Sequence, residues 1–135
     1  MYIVFGNRII DSNDFKMIIE KNTDFKIIKD MSKGSKREDI VAFNLSVNID
    51  VLNSDIEENI FNLSEDDLFE EYLAITEEMG YEIEEFLPVD SIMKFQAYKW
   101  DPSDNDIKAV LVISQEELGE GKLKDVLRRL LTQVE

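Results

Sequence analysis

The chain contains no cysteine and no histidine among its 135 residues. Their absence excludes disulfides, thiolate metal sites and the usual zinc centres, and it excludes catalysis by Ser–His–Asp or Cys–His groups. Glycine is also scarce, and no glycine-rich phosphate loop occurs, because Gly119-Glu120-Gly121 lacks the remainder of such a motif. We therefore expect neither a cofactor nor an enzymatic activity.

Targeting signals and membrane-spanning runs are missing as well. Residues 1–8 are too short and too strand-like for a signal peptide, and no apolar run is long enough to cross a bilayer. The lack of cysteine fits a reducing compartment. Together these features favour a cytoplasmic protein.

The third absence concerns positive charge. No lysine or arginine occurs in the segment 38–93, whose 56 residues contain 17 carboxylates. The residues before it carry 8 bases and 5 acids, and those after it carry 7 bases and 8 acids, so nearly all of the net charge of −15 lies in this segment. Such a block repels itself, and it disfavours direct binding to nucleic acid or to anionic lipid. It favours a basic protein as the partner.

Enough apolar residues are present for a folded core. Hydrophobic residues make up 44% of the chain, which is too many for an acidic disordered segment. Length, alternation and capping patterns predict a single domain over 1–135 with an α+β fold, in which about five to seven mainly antiparallel strands are packed by three to four helices. The predicted strands are 2–5, 8–10, 25–29, 41–49, 91–100 and 107–114, with a short one at 81–86, and the predicted helices start near Asp11, Ser54 and Ser64 or contain 123–134.

The strand at 41–49 alternates most clearly. Its odd-numbered residues are apolar, whereas Ala42, Asn44, Ser46 and Asn48 are small or polar. This pattern is typical of an antiparallel sheet with one face packed and the other face in solvent.

Within the acidic segment we predict a helix over 64–79 that ends at Gly80 in a left-handed conformation. One side of this helix carries apolar and aromatic residues together with Thr76: Leu68, Phe69, Tyr72, Leu73, Thr76 and Met79. The opposite side carries Asp67, Glu70, Glu71, Glu77 and Glu78, and the acidic pattern continues beyond Gly80 with Glu82, Glu84 and Glu85. These eight carboxylates are the candidate binding residues.

Two interpretations of the acidic helix are open. Acidic residues in the first turn suit the helix dipole, so the outer side is in one interpretation an ordinary solvated face. Like-charged pairs four residues apart, such as Asp67–Glu71, destabilise a helix, and Glu77 and Glu78 lie at its negative end. These costs favour a binding surface, with Trp100 as an aromatic anchor. Trp100 is equally well explained as a core residue that closes the end of a hairpin.

Two carboxylate patterns suggest metal chemistry as a less favoured alternative. Asp90, with Asp106 and Lys108, matches the spacing of some metal-dependent nucleases, but the two aspartates belong to opposite ends of a predicted hairpin, roughly 30 Å apart. Asp101, Asp104 and Asp106 suggest a calcium loop, but their spacing departs from the EF-hand and aspartate is a common turn former.

The leading hypothesis is therefore a small acidic inhibitor of immunity type or phage type. Its acidic segment 38–93 would act as a nucleic-acid mimic that covers the basic surface of a toxin nuclease or of another nucleic-acid-processing enzyme. One alternative is a structural or assembly subunit that forms a homo-oligomer, and a weaker one is a carboxylate-based metal-dependent enzyme. The basic cluster at 33–37 is explained by a solvated turn, or by pairing with the acidic segment within one molecule or across a dimer.

Overall fold

The structure of the protein is a computed structural model, which describes residues 1–56 and 60–134. Within these ranges the chain forms six strands and four helices, linked in places by short 3-10 turns. The strands are β1 (Tyr2–Phe5), β2 (Arg8–Asp11), β3 (Lys26–Asp30), β4 (Val41–Asn48), β5 (Ser91–Asp101) and β6 (Asp106–Gln115). The helices are α1 (Ser12–Asn22), α2 (Ile49–Asn53), α3 (Glu65–Glu82) and α4 (Glu120–Val134). The fold is α+β, as predicted.

Both sheets are antiparallel. The main sheet has the order β3-β4-β6-β5, so β3 and β5 are its two edges, and β1 and β2 form a separate hairpin. Gly6 adopts a φ of 66° in the turn of that hairpin, a conformation that glycine adopts without steric cost. The main-sheet register places Asp101 opposite Asp106 and Ser91 opposite Gln115, which confirms the predicted hairpin of the last two strands.

Side chains cap the starts of three helices, at the predicted positions Asp11 and Ser64 and at Asn48, which was not among the predicted starts. The Asp11 carboxylate accepts a hydrogen bond from the Asn13 amide and caps α1, and Asn48 caps α2 in the same way. The Ser64 hydroxyl accepts from the Asp67 amide at the start of α3. Each cap satisfies one of the backbone amides that a helix leaves unpaired at its N-terminus.

The main sheet is covered on both faces. One face packs on α1, α2, α3 and the β1–β2 hairpin around a core that includes Phe43, Tyr72 and Phe95. The other face packs on α4 through Val110, Leu127 and their neighbours. A helix therefore lies on each side of the sheet, and the acidic helix α3 and the helix α4 are on opposite sides.

The predicted polar face of β4 is only partly in solvent. Ala42 and Ser46 are buried and Asn44 is half-buried, whereas Asn48 at the strand end is exposed. The difference arises because α4 covers the part of this face next to Ala42. Small residues on a strand therefore mark a close packing surface for a helix as well as a solvated one.

Three local predictions in the acidic segment need correction. Gly80 does not end a helix in a left-handed conformation, because α3 continues through it to Glu82. Residues 81–86 form no strand but the end of α3 and a 3-10 turn, Ile83–Phe86. A helix is present before Ser54 rather than after it, and part of the predicted one, residues 57–59, lies outside the described residues.

An ion pair fixes the hairpin to the main body. The Arg8 guanidinium donates to both carboxylate oxygens of Asp90 at 2.9 and 2.8 Å, and these hydrogen bonds lower the pKa of Asp90 to about 2. Asp90 therefore contributes stability at neutral pH. This stability is lost as the pH falls from 3.8, the ordinary pKa of an aspartate, through about 2.

No helix in the described parts of the chain combines the length and the apolar composition that a membrane span requires.

Gly80 allows α3 to approach β5 closely. A β-carbon at this position would lie 2.4 Å from two atoms of the Phe95 ring, which is itself buried. We expect Gly80→Ala to lower the free energy of unfolding by about 1–3 kcal/mol through overpacking, although alanine is the better helix former. Chemical denaturation measures this change.

Gly121 offers a matched control, since it lies in α4 and a β-carbon added to it would have no neighbour within 4 Å. We expect Gly121→Ala to leave stability unchanged or to raise it by up to about 1 kcal/mol. If both variants were equally stable, the close packing of Gly80 on Phe95 would not limit the fold.

Candidate functional site

The outer side of α3 is an exposed row of carboxylates. Asp67, Glu71, Glu78 and Glu82 follow each other at spacings of one or two helical turns and are all exposed, as is the neighbouring Glu70. From Asp67 to Glu82 this row is about 22 Å long at the helical rise of about 1.5 Å per residue. We call these five residues, with Glu84 and Glu85 of the following 3-10 turn, the acidic face.

No ion pair neutralises the acidic face within the part of the chain that the structure describes. The recorded ion pairs join other groups, such as Arg8 with Asp90, Arg37 with Asp39 and Lys94 with Glu120. The last turn of α3 also carries no basic residue, so Glu78 and Glu82 lie unpaired at the negative end of the helix dipole. The helix dipole stabilises the acidic residues of the first turn, but it does not stabilise these two.

Glu77 differs from its predicted position on the outer side. It is half-buried, and its Oε1 accepts a hydrogen bond from the Ala97 amide at 2.8 Å. Burial raises the pKa of Glu77 above its ordinary value of 4.5, although the hydrogen bond from Ala97 opposes this effect. Glu77 therefore joins α3 to the sheet instead of belonging to the acidic face.

Helix side chains cover backbone amides at both edges of the main sheet. On β5 the Tyr81 hydroxyl lies 3.5 Å from the amide of Phe95, two residues before Ala97, whose amide donates to Glu77. On the opposite edge the Glu20 carboxylate accepts from the Ile27 amide of β3 at 3.1 Å. Helix side chains thus satisfy backbone amides that an edge strand would otherwise present to another chain.

Trp100 packs at the end of the β5–β6 hairpin. Its ring stacks on Phe69 with the centroids 6.2 Å apart and packs perpendicular to the Tyr72 ring with the centroids 5.1 Å apart. The indole nitrogen is buried and has no hydrogen-bond partner among the described residues. This packing agrees with the structural interpretation of Trp100, and its role as a partner anchor stays a prediction.

The basic cluster at 33–37 lies near α4. The Arg129 guanidinium donates to the Ser35 carbonyl, and the Gln133 amide donates to the Gly34 carbonyl at 3.4 Å. Arg37 donates to Asp39 at 2.8 Å. Because α3 is on the other side of the sheet, these contacts leave the acidic face without compensation from this cluster within one molecule.

The three aspartates of the β5–β6 turn do come together. Carboxylate oxygens of Asp101, Asp104 and Asp106 lie within 4.8 Å of one another. The Lys108 ammonium lies among them, at 2.7 Å from Asp104 and 3.0 Å from Asp106. Burial lowers the pKa of Lys108, but the hydrogen bonds to these carboxylates outweigh burial and raise it overall. Lys108 thus neutralises only part of the charge of the three carboxylates.

The nuclease-like pattern remains divided between two places. Asp106 pairs with Asp101 at the turn of the β5–β6 hairpin, whereas Asp90 precedes Ser91 at its other end and is held by Arg8. The structure therefore does not bring Asp90 and Asp106 together, as the predicted topology indicated.

A small pocket at the end of the acidic face was not predicted. It has a volume of about 160 Å³ and lies between the C-terminal ends of α1 and α3, where Asp24, Glu82, Glu85 and Phe86 line it. Asp24 is distant in sequence from the other three, so no local pattern links them. We call this the end pocket.

The chain matches no protein-family model, and comparison with curated proteins and with solved structures finds no significant similarity. The geometry of the site is therefore the basis for any functional conclusion.

Glu77 gives a pH-dependent prediction. Because its pKa is raised, the folded protein binds this proton more tightly than the unfolded chain, and the free energy of unfolding falls as the pH rises from 4.5 through the raised pKa. Glu77→Gln keeps an oxygen acceptor for the Ala97 amide and removes the charge. We expect this variant to have a higher Tm than the parent at pH 7, with the difference shrinking towards pH 4.

Glu78→Gln removes the same charge from an exposed position and measures the effect of net charge alone. Its gain in Tm should be the smaller one. Glu77→Ala, which removes the acceptor, should lower the Tm because the amide of a partly covered strand edge loses its partner. A Glu77→Gln variant that is less stable than the parent at pH 7 would show that the charge strengthens this hydrogen bond more than burial weakens it.

Proposed function

We propose that this protein is a small cytoplasmic inhibitor that binds a basic, nucleic-acid-binding protein through the acidic face. The observation that carries the proposal is the row of exposed carboxylates on α3 and the following turn, which lack ion-pair partners in the described chain. Immunity-type and phage-type antagonists are the functional class that this surface supports. The target is a toxin nuclease or another enzyme that processes nucleic acid.

The energetic cost of the acidic face supports a binding role. Like charges at spacings of three and four residues, as in Asp67–Glu70 and Asp67–Glu71, each cost a few tenths of a kcal/mol in a helix. Glu78 and Glu82 add an unfavourable interaction with the helix dipole. Docking of α3 on the sheet uses other residues of the helix, so the repulsion serves no fold contact described above.

A basic groove that binds nucleic acid provides a complementary surface. Side chains three and four residues apart on a helix have β-carbons about 5–6 Å apart, so the acidic face presents closely spaced negative charges in a row, as a nucleic-acid strand does. The attraction between such surfaces speeds association and fixes the orientation of the partners. It weakens as salt rises, because exposed charges are screened over about 4 Å near 0.5 M salt.

A variant with four neutralised carboxylates tests the proposal. Asp67→Asn, Glu70→Gln, Glu71→Gln and Glu78→Gln change exposed groups and leave Glu77 in contact with the sheet. The parent should bind a nuclease or nucleic-acid-processing enzyme of its host, release it in about 0.5 M salt and inhibit its activity on nucleic acid. The variant should neither bind nor inhibit, and its Tm should be equal or higher.

A second variant with the same change in net charge is the control. Glu38→Gln, Glu116→Gln, Glu117→Gln and Asp125→Asn alter four exposed carboxylates outside α3. This control should bind and inhibit like the parent. Equal inhibition by both variants would contradict the assignment of the acidic face, and a captured partner whose activity on nucleic acid is unaffected would contradict the inhibitor function.

A further inference from the structure

The turn of the β5–β6 hairpin contains a buried carboxylate that the fold satisfies only in part. Asp106 is 8% exposed, and it is the only buried charged residue among those that the structure describes. Its Oδ2 accepts from the Lys108 ammonium at 3.0 Å, whereas its Oδ1 is buried and has no hydrogen-bond partner in the described chain. Burying a carboxylate oxygen without a partner is costly, so this side chain indicates a cationic ligand that the fold itself does not supply.

The Asp106 carboxylate points towards two others. Asp101, Asp104 and Asp106 each place one oxygen within 4.8 Å of those of the other two. Oxygen ligands lie about 2.3–2.6 Å from a calcium ion, so two of them on opposite sides of the ion are about 5 Å apart. The three carboxylates therefore fit within one coordination sphere.

The hairpin holds these groups in place before any ion binds. Asp101 Oδ1 accepts from the amides of Ser103 and Asp104 at 2.9 and 3.2 Å, and its Oδ2 lies 4.0 Å from the Lys108 ammonium. Asp101 and Asp106 are also opposite each other in the register of the two strands. A ligand that binds here does not have to order these side chains, which lowers the cost of binding.

The lysines at the turn leave its charge unbalanced. The Lys108 ammonium lies 2.7 Å from Asp104 and 3.0 Å from Asp106, and Lys99 lies 3.8 Å from Asp101. Two single positive charges face three carboxylates, so one negative charge is left in excess. A divalent ion in the place of the Lys108 ammonium, together with Lys99, would equalise the two signs.

Lys108 has room to withdraw from the carboxylates. It lines an open pocket of about 590 Å³ next to Asp104 and Asp106, and Ser46 and Ile28 line the same pocket. A lysine side chain is flexible and its ammonium is readily hydrated. The ammonium can therefore leave the three carboxylates and stay in contact with water.

The type of ligand favours a hard cation. Three carboxylates supply only oxygen, and the chain has no histidine or cysteine to attract a softer metal. Calcium accepts six to eight oxygens in irregular arrangements, with water filling the open positions, whereas magnesium requires a nearly ideal octahedron. A turn of fixed shape with one exposed side is better suited to calcium.

We propose that the β5–β6 turn binds one calcium ion through Asp101, Asp104 and Asp106, and that Lys108 takes this position when calcium is absent. The ion satisfies the buried Asp106 carboxylate, and water completes its coordination shell. Lys108 competes with the ion, so it sets the affinity of the site. None of these residues belongs to the acidic face, and the inference does not rest on the proposed function.

A calcium titration of the isotopically labelled protein tests the site. Calcium chloride is added in chelator-treated buffer at about 0.15 M salt, which screens general attraction to the acidic protein, and amide chemical shifts are followed. We expect saturable shifts centred on residues 99–108, and magnesium chloride should require a concentration at least about tenfold higher. Shifts that do not saturate, or that are as large on the acidic face as at the turn, would overturn the proposal.

Two carboxylate variants separate ligation from net charge. Asp104→Asn changes an exposed ligand and should weaken calcium binding at least about tenfold. Glu116→Gln removes the same charge at the other end of the hairpin, and it should change the affinity less than about twofold because exposed charges at that distance are screened. Equal affinities of these two variants would show that the turn holds no calcium.

Two lysine variants test the competition. Lys108→Gln removes the competing ammonium and should raise the calcium affinity about tenfold or more, since two close carboxylates are released. Lys99→Gln removes the same charge beside Asp101 alone and should raise it only about two- to fivefold. A Lys108→Gln variant that binds calcium no more tightly than Lys99→Gln would contradict the exchange of ammonium for calcium.

Discussion

The packing of α3 against the edge strand β5, which includes the hydrogen bond from the Ala97 amide to the Glu77 carboxylate, places the acidic helix. β5 is an edge strand, so its outward amides need partners from outside the sheet. Glu77 and Tyr81 supply partners for the amides of Ala97 and Phe95, and Gly80 between them removes the β-carbon that would collide with the Phe95 ring. Because this side of α3 packs against the strand, the orientation of the helix about its own axis is set. The other carboxylates of the helix therefore face outward.

The position of α3 also separates the charges of the molecule. α4 and the basic cluster at 33–37 contact each other on one side of the sheet, while the acidic face is on the other side. Pairing of the two groups within one molecule would require them to cross the sheet. Folding therefore leaves the negative field largely intact, although each end of the sequence carries enough bases to weaken it.

The sequence predicts an element well where the residues that determine it lie within that element or next to it. The Asp11 cap, the position of strand β4 and the turn after Asp101 depend on neighbouring residues only, and the structure confirms them. The local pattern places Gly80 at a helix end, whereas the constraint that requires glycine there, the Phe95 ring, lies on another element. The same holds for Glu77, whose helical position resembles that of the exposed glutamates until the strand edge is in place. The end pocket joins residues from three separate elements, which no pattern along the chain reveals.

The acidic face and the end pocket both result from the position of α3 on β5, and their carboxylates affect stability in the same way. Fixing α3 to β5 brings its negative end next to that of α1 and leaves unpaired carboxylates around both ends. In the isolated protein these groups repel each other, so screening by salt stabilises the fold. In the complex the same groups attract the partner, so screening weakens binding. Opposite responses of stability and affinity to salt are therefore expected from a single set of carboxylates, whereas a surface whose charges are paired within the molecule would show neither.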